Sequence, residues 1–149
     1  MVAALKLRTK QIERGDVELF GHRRGQFEQK LLVTLPGCEI VAGGSPRLWN
    51  TVSALMPEVD CQHRWVVKLD KLGFAVSTGS ACSSGKEQPS HVLLAMGYSA
   101  SDAGRVLRFS AGWETTMEDW QALLANLKSV HEKISPAGQN ILAKRDQLG

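Results

Sequence analysis

The run "TTMEDWQALLANLKSVHEKI", residues 115–134, most constrains what this chain can become. Trp120, Leu123, Leu124, Leu127, Val130 and Ile134 recur at helical spacing and form one apolar stripe. Thr115 with Glu118, or Thr116 with Asp119, offers a capping box at its start. A helix with one greasy face has to bury that face against a second layer. Short β-type runs supply one. "NTVSALM" ends at Pro57, "FAVST" spans residues 74–78 and "VLRFS" spans 106–110, while "PGCEIVAGG" reads as turn, short strand and turn. Helical runs separate them. "GQFEQKLLVTL" spaces its apolar residues as a helix does, after a start that Gly15, Gly21 and Gly25 break or fray. "DCQHRWVVKLDKLG" is a helix with Asp60 as N-cap and Gly73 as its stop. Ser90 caps "HVLLAM", Gly97 ends it, and "SDAGR" is a turn or short helix. The expected fold is therefore an α/β (α+β) two-layer sandwich, a small antiparallel or mixed sheet covered by helices, not a doubly wound domain. At 149 residues it fits one domain with a proper core.

Charge and cysteine content narrow the classes of function. The net charge is +3, spread along helix faces without a basic patch interleaved with aromatics, so nucleic acid is not the expected partner. Three cysteines without a CxxC pair argue against a disulfide framework and for a reducing compartment, the cytoplasm by default. The start "MVAALKLRTK" is too short an apolar run for a signal peptide, and no stretch is long enough for a bilayer. No P-loop, GxGxxG or HExxH occurs.

Two residues carry chemistry. Cys82 sits in "STGSACSSG", a run of small residues that gives the backbone freedom and displays a side chain. Backbone N–H groups, Lys86 or His91 could stabilise its thiolate, the reactive form. The alternative is a small buried filler at a strand end. Arg108 lies in the apolar strand pattern "RVLRFSAG". It must snorkel, meet a structural Asp or Glu, or present its planar fork to a carboxylate ligand. Cys38 reads as core. Cys61 and His63 form a CxH pair with no second pair at metal-ligand spacing, so no metal site is expected. His22 and His131 read as solvated, and the four tryptophans as single core or interface residues.

Together these segments resemble a known family. "LDKLGFAVSTGSACSSGKEQPSHVLLAMGYSASDAGRVLRFSAGWETT" resembles the C-terminal part of pyridoxal-phosphate-dependent cysteine desulfurases of the class V aminotransferase group, NifS/IscS type. "LPGCEIVAGGSPRLWNTVSALMPEVD" extends the resemblance, with Asn50-Thr51 in the place of the family's Asn-Thr. Trp49 and Trp113 depart from the family pattern, which has Pro and often Arg there. The resemblance implies that Cys82 is the catalytic nucleophile that takes the substrate's sulfur as a persulfide. It implies that Arg108 holds the substrate carboxylate, with Asn50 a further substrate-binding candidate, and that Gly79 and Gly85 hinge a mobile loop over residues 77–89. It divides the chain into a linker helix (1–30), the small domain (31–135) and a polar C-terminal tail (136–149). In the family a large domain holds pyridoxal phosphate on a lysine in a Ser-x-His-Lys setting, which does not occur here. The expectation is a small domain that binds no cofactor by itself and is inactive alone. Its partners would be the missing cofactor domain, a second copy in the intact homodimer and a sulfur-acceptor protein. Alternatives are a non-catalytic sulfur-accepting module and a fragment of a selenocysteine lyase. The face left by a missing domain would be apolar and would favour self-association.

Overall fold

The computed structural model describes residues 2–58, 63–78 and 89–135. Cys61, Cys82, Gly79, Gly85, Lys86, the Asp60 cap and the tail from 136 lie outside the described residues. Among the described residues ten elements follow one another. They are α1 (Val2–Glu13), α2 (Asp16–Thr34), β1 (Glu39–Ile40), β2 (Thr51–Leu55), α3 (His63–Asp70), β3 (Ser77–Thr78), α4 (His91–Ala95), α5 (Ala100–Arg105), β4 (Val106–Ser110) and α6 (Met117–Ile134). The strands form one antiparallel sheet in the order β1-β2-β4-β3.

Strand alternation assigns the two faces. Val52 and Ala54 of β2 and Leu107 and Phe109 of β4 turn to the main core. There they meet Phe27 and Leu31 of α2, Trp65 and Leu69 of α3, and the predicted stripe of α6. Phe27 is the hub, with its ring 4.5 Å from Trp120 and 5.8 Å from Phe109. The other face holds a smaller cluster at one end, where Leu93 of α4 and Ala103 of α5 cover Leu55 and Val106. The sandwich expected from the sequence is present, with short helices capping one end of its second face.

Local signals decide the helix ends. Thr116 and Asp119 form the α6 capping box, each side chain bonding the other's backbone N–H. Three local expectations change. The N-terminal region breaks once, at Gly15 in the left-handed conformation, whereas Gly21 and Gly25 lie inside α2. Burial of Phe27 and Leu31 on that helix offsets the roughly 1 kcal/mol that each interior glycine costs. The "FAVST" strand shortens to Ser77–Thr78, because the Phe74 N–H bonds back to the Leu69 carbonyl and belongs to the turn that closes α3. Ser90 stands at the α4 N-cap without a side-chain cap bond. No helix among the described residues is long and apolar enough to cross a membrane.

Candidate functional site

The second sheet face carries the site. On it β4 presents Val106, Arg108 and Ser110, and β2 presents Thr51, Ser53 and Leu55. Arg108 stands directly opposite Ser53 on one side and Ser77 on the other, so a row of two hydroxyls flanks the guanidinium-bearing residue. Leu107 and Phe109 anchor the strand from the core side at 2% exposure each, while Arg108 is exposed. Among the described residues no carboxylate pairs with it. Of the readings the strand pattern allowed, a structural ion pair is therefore not the one formed among those residues.

Arg108 lines a cavity of about 530 Å³. Thr51, Ser53 and Ser90 add hydroxyls to its wall, and apolar residues such as Val41, Leu93 and Val106 supply most of the rest. Its rim is greasy and open: Leu48 is 70% exposed and Val92 54%. The two segments that flank residues 79–88 both reach this place. β3 pairs with β4 beside Arg108, and Ser90 lines the cavity on the other side of that stretch.

The wall at residues 46–48 is held from behind. Arg47 makes a two-pronged ion pair with Glu28, Nη1 to Oε1 at 2.7 Å and Nη2 to Oε2 at 3.0 Å. Glu28 is 9% exposed and also meets Arg24 one turn earlier at 3.5 Å. The bond to Glu28 raises the Arg47 pKa above its ordinary value. Tyr98 Oη donates to Glu39 at 2.6 Å, which ties the α4–α5 turn to β1 and pushes the phenol up to about 12. Asn50 engages its side chain within the fold: Nδ2 donates to the Ala111 backbone carbonyl at 3.1 Å, and Oδ1 accepts from the side-chain hydroxyl of Thr51. It tethers the start of β2 beyond the end of β4 and is not among the cavity-lining residues.

Other sequence candidates separate from the site. Cys38 packs against the main core, and burial is the chief cause that pushes its thiol up to about 11. Burial thus favours the protonated thiol, the unreactive form. Iodoacetamide should leave Cys38 unlabelled in the native chain over a period that labels free glutathione, and urea should expose it; peptide mass mapping reads the difference. His131 is not the solvated group expected. It stacks on Trp65 with the rings 8° from parallel and 6.2 Å apart. Trp49 and Trp113 do not stand singly either. Their rings lie 4.8 Å apart and both touch Phe20, with the Arg8 guanidinium over Trp113. The two departures from the family pattern thus meet in one aromatic group. No group of three or more His, Cys, Asp or Glu that could hold a metal occurs among the described residues.

Pyridoxal phosphate enzymes carry the cofactor on a lysine amine. Among the described residues no lysine lines the Arg108 cavity or the smaller one between residues 73–76 and α6. The described cavities therefore do not fit this group as its covalent carriers.

Comparison with known proteins points one way. The Aminotransferase class-V family model matches residues 1–123. The chain is 32% identical over 123 residues to a cysteine desulfurase of Klebsiella pneumoniae, covering 80% of this chain and 31% of that protein. A cysteine desulfurase of Rhodobacter capsulatus is 35% identical over 105 residues, 70% of this chain and 27% of that one. The X-ray structure of a NifS-like protein from Rickettsia africae superposes with a TM-score of 0.70 at 26% identity, over 85% of this chain and 31% of that chain. The chain thus spans about a third of the length of these relatives.

Proposed function

Because the chain belongs to the class V aminotransferase family, we propose that it is the substrate-anchoring and sulfur-accepting domain of a cysteine desulfurase. On this reading Arg108 binds the carboxylate of L-cysteine, and the Cys82 thiolate receives its sulfur as a persulfide. The pyridoxal phosphate, which supplies the electron sink of such reactions, is held by a separate lysine-bearing domain. The greasy rim around Arg108 is the face that domain would cover.

One observation carries the reading. An exposed arginine without a carboxylate partner among the described residues lines a cavity, and the chain on both sides of the Cys82 segment arrives at that same place. A guanidinium beside hydroxyls matches a carboxylate by geometry as well as charge. Holding the substrate there fixes where its sulfur lies, which is what a thiolate acceptor needs. Gly79 and Gly85 would let the acceptor move between substrate and outside partner.

The test is production of L-alanine from L-cysteine. The purified chain with pyridoxal phosphate should make none. The same chain mixed with the lysine-bearing large domain of a relative should make alanine, and Cys82→Ser should abolish that. Alanine from the chain alone, or turnover indifferent to Cys82→Ser, refutes the reading. If an intact desulfurase loads sulfur onto Cys82 of the free chain while the mixture stays inactive, a carrier module replaces the enzyme part.

A further inference from the structure

Among the described residues two arginines line the cavity, Arg47 and Arg108, yet they are not equivalent. Arg108 is exposed and has no carboxylate partner among the described residues. Arg47 has a side chain only 15% exposed, and both of its terminal nitrogens are engaged by the two oxygens of Glu28. Nη2 also lies 3.4 Å from the Gly43 carbonyl. A carboxylate that accepts a planar fork through both oxygens neutralises it and fills its best donor directions. Arg24, the other partner of Glu28, donates Nη1 to the Leu48 carbonyl and is not among the cavity-lining residues.

We infer that Glu28 is a specificity-determining residue: by occupying Arg47 it leaves Arg108 as the one free anion receptor among the described residues of the cavity, so a second carboxylate on a ligand finds no cation there and dicarboxylates gain nothing over monocarboxylates. This rests on the reading of Arg108 as a carboxylate anchor. The rest of the described wall gives a second carboxylate no cation to gain from. A second carboxylate placed beyond Arg108 would meet hydroxyls at Thr51, Ser53 and Ser90, or apolar side chains such as Leu48, Val92 and Met96. Desolvating a charge against such a surface without a cationic partner is unfavourable. Like Arg108, Glu28 is set in place by the core side of the fold: it sits next to Phe27 on α2, the helix that packs on α6. Selectivity in a site is a difference of affinities, and neutralising an attractive charge is one way to create it.

Acetate and succinate are the probes, titrated into the full chain while amide shifts of β2 and β4 are followed by NMR. The wild-type chain should bind both within about threefold of each other. Glu28→Gln releases Arg47, and succinate should then bind about tenfold or more tightly than acetate, the gain expected of one added charge-assisted contact. A wild-type chain that already prefers succinate tenfold, or a folded Glu28→Gln chain with an unchanged ratio, overturns the inference. Arg47→Gln gives a second route should Glu28→Gln not fold. Acetate affinity should stay within about twofold of wild type, and a tenfold loss would make Arg47 a ligand and overturn the inference. Arg108→Gln separates the two readings: if it leaves acetate binding intact, the anchor itself is wrong, whatever Glu28 does.

Discussion

Phe27→Ala will cost the chain about 3–5 kcal/mol of stability, the range for removing a fully buried aromatic side chain. Phe27 is 2% exposed and joins three elements: α2 carries it, its ring packs on Trp120 of α6, and its edge meets Phe109 of β4. The loss combines transferred apolar area, a cavity between helix layer and sheet, and two aromatic pairs of about 0.5–1.5 kcal/mol each that fall within the total. Domains of this size are stable by about 5–15 kcal/mol, so the variant gives up a large share. A fall in melting temperature of roughly 10 °C or more should accompany it. Urea titration followed by tryptophan fluorescence reads the change, and Val33→Ala is the control. Val33 is 84% exposed on the same helix, and its truncation should stay within about 0.5 kcal/mol. A Phe27→Ala loss below about 1 kcal/mol would mean that α2 is not part of the core that shapes the sheet.

What could be read from the sequence follows from how far apart the interacting residues lie. The α6 stripe is local and was legible because a helix repeats within a few residues, and so was a capping box at its start, although the sequence left Thr115–Glu118 and Thr116–Asp119 both open. Arg108 stood out as a long cation in an apolar strand run, a matter of nearest neighbours, but which of its three possible fates it met shows only in the sheet. "FAVST" misled for the same reason. Its apolar run satisfies a strand pattern, but a backbone bond from Phe74 to Leu69, made in the turn after α3, decides three of its five residues. The glycines of α2 look like breaks until Phe27 and Leu31 are known to be buried. Glu28 and Arg47 are 19 positions apart, with turns and a strand between them, and no spacing rule joins them. Trp49 and Trp113, flagged one at a time as departures from the family pattern, meet only because β2 and β4 are neighbours. Of the candidate cavity only Arg108 was therefore legible as a residue type, whereas the charge balance among the described residues, one arginine without a carboxylate and one engaged, exists only in the folded chain.

On the proposed reading that charge balance gives Arg108→Ala a large functional effect, second only to the loss of Cys82. In the reconstituted pair of this chain and a lysine-bearing domain, kcat/KM for L-cysteine should fall by about two to three orders of magnitude. A fork that holds a carboxylate through two charge-assisted hydrogen bonds is worth about 1.5–3 kcal/mol for each bond, and Arg47 is not free to replace it. Arg108→Lys keeps the charge but loses the planar fork, so it should recover only part of the loss. Stability should hardly change, since Arg108 is exposed and breaks no ion pair among the described residues when it leaves. A structural role would give the opposite pattern, a lower melting temperature with kcat/KM intact per folded molecule. The substrate's own chemistry offers a further check. Cysteamine lacks the carboxylate, so wild type and Arg108→Ala should handle it alike, and the advantage of L-cysteine over cysteamine should vanish in the variant. If Arg108→Ala slows both compounds equally, the arginine serves something other than the carboxylate, and the anchoring reading of the cavity falls with it.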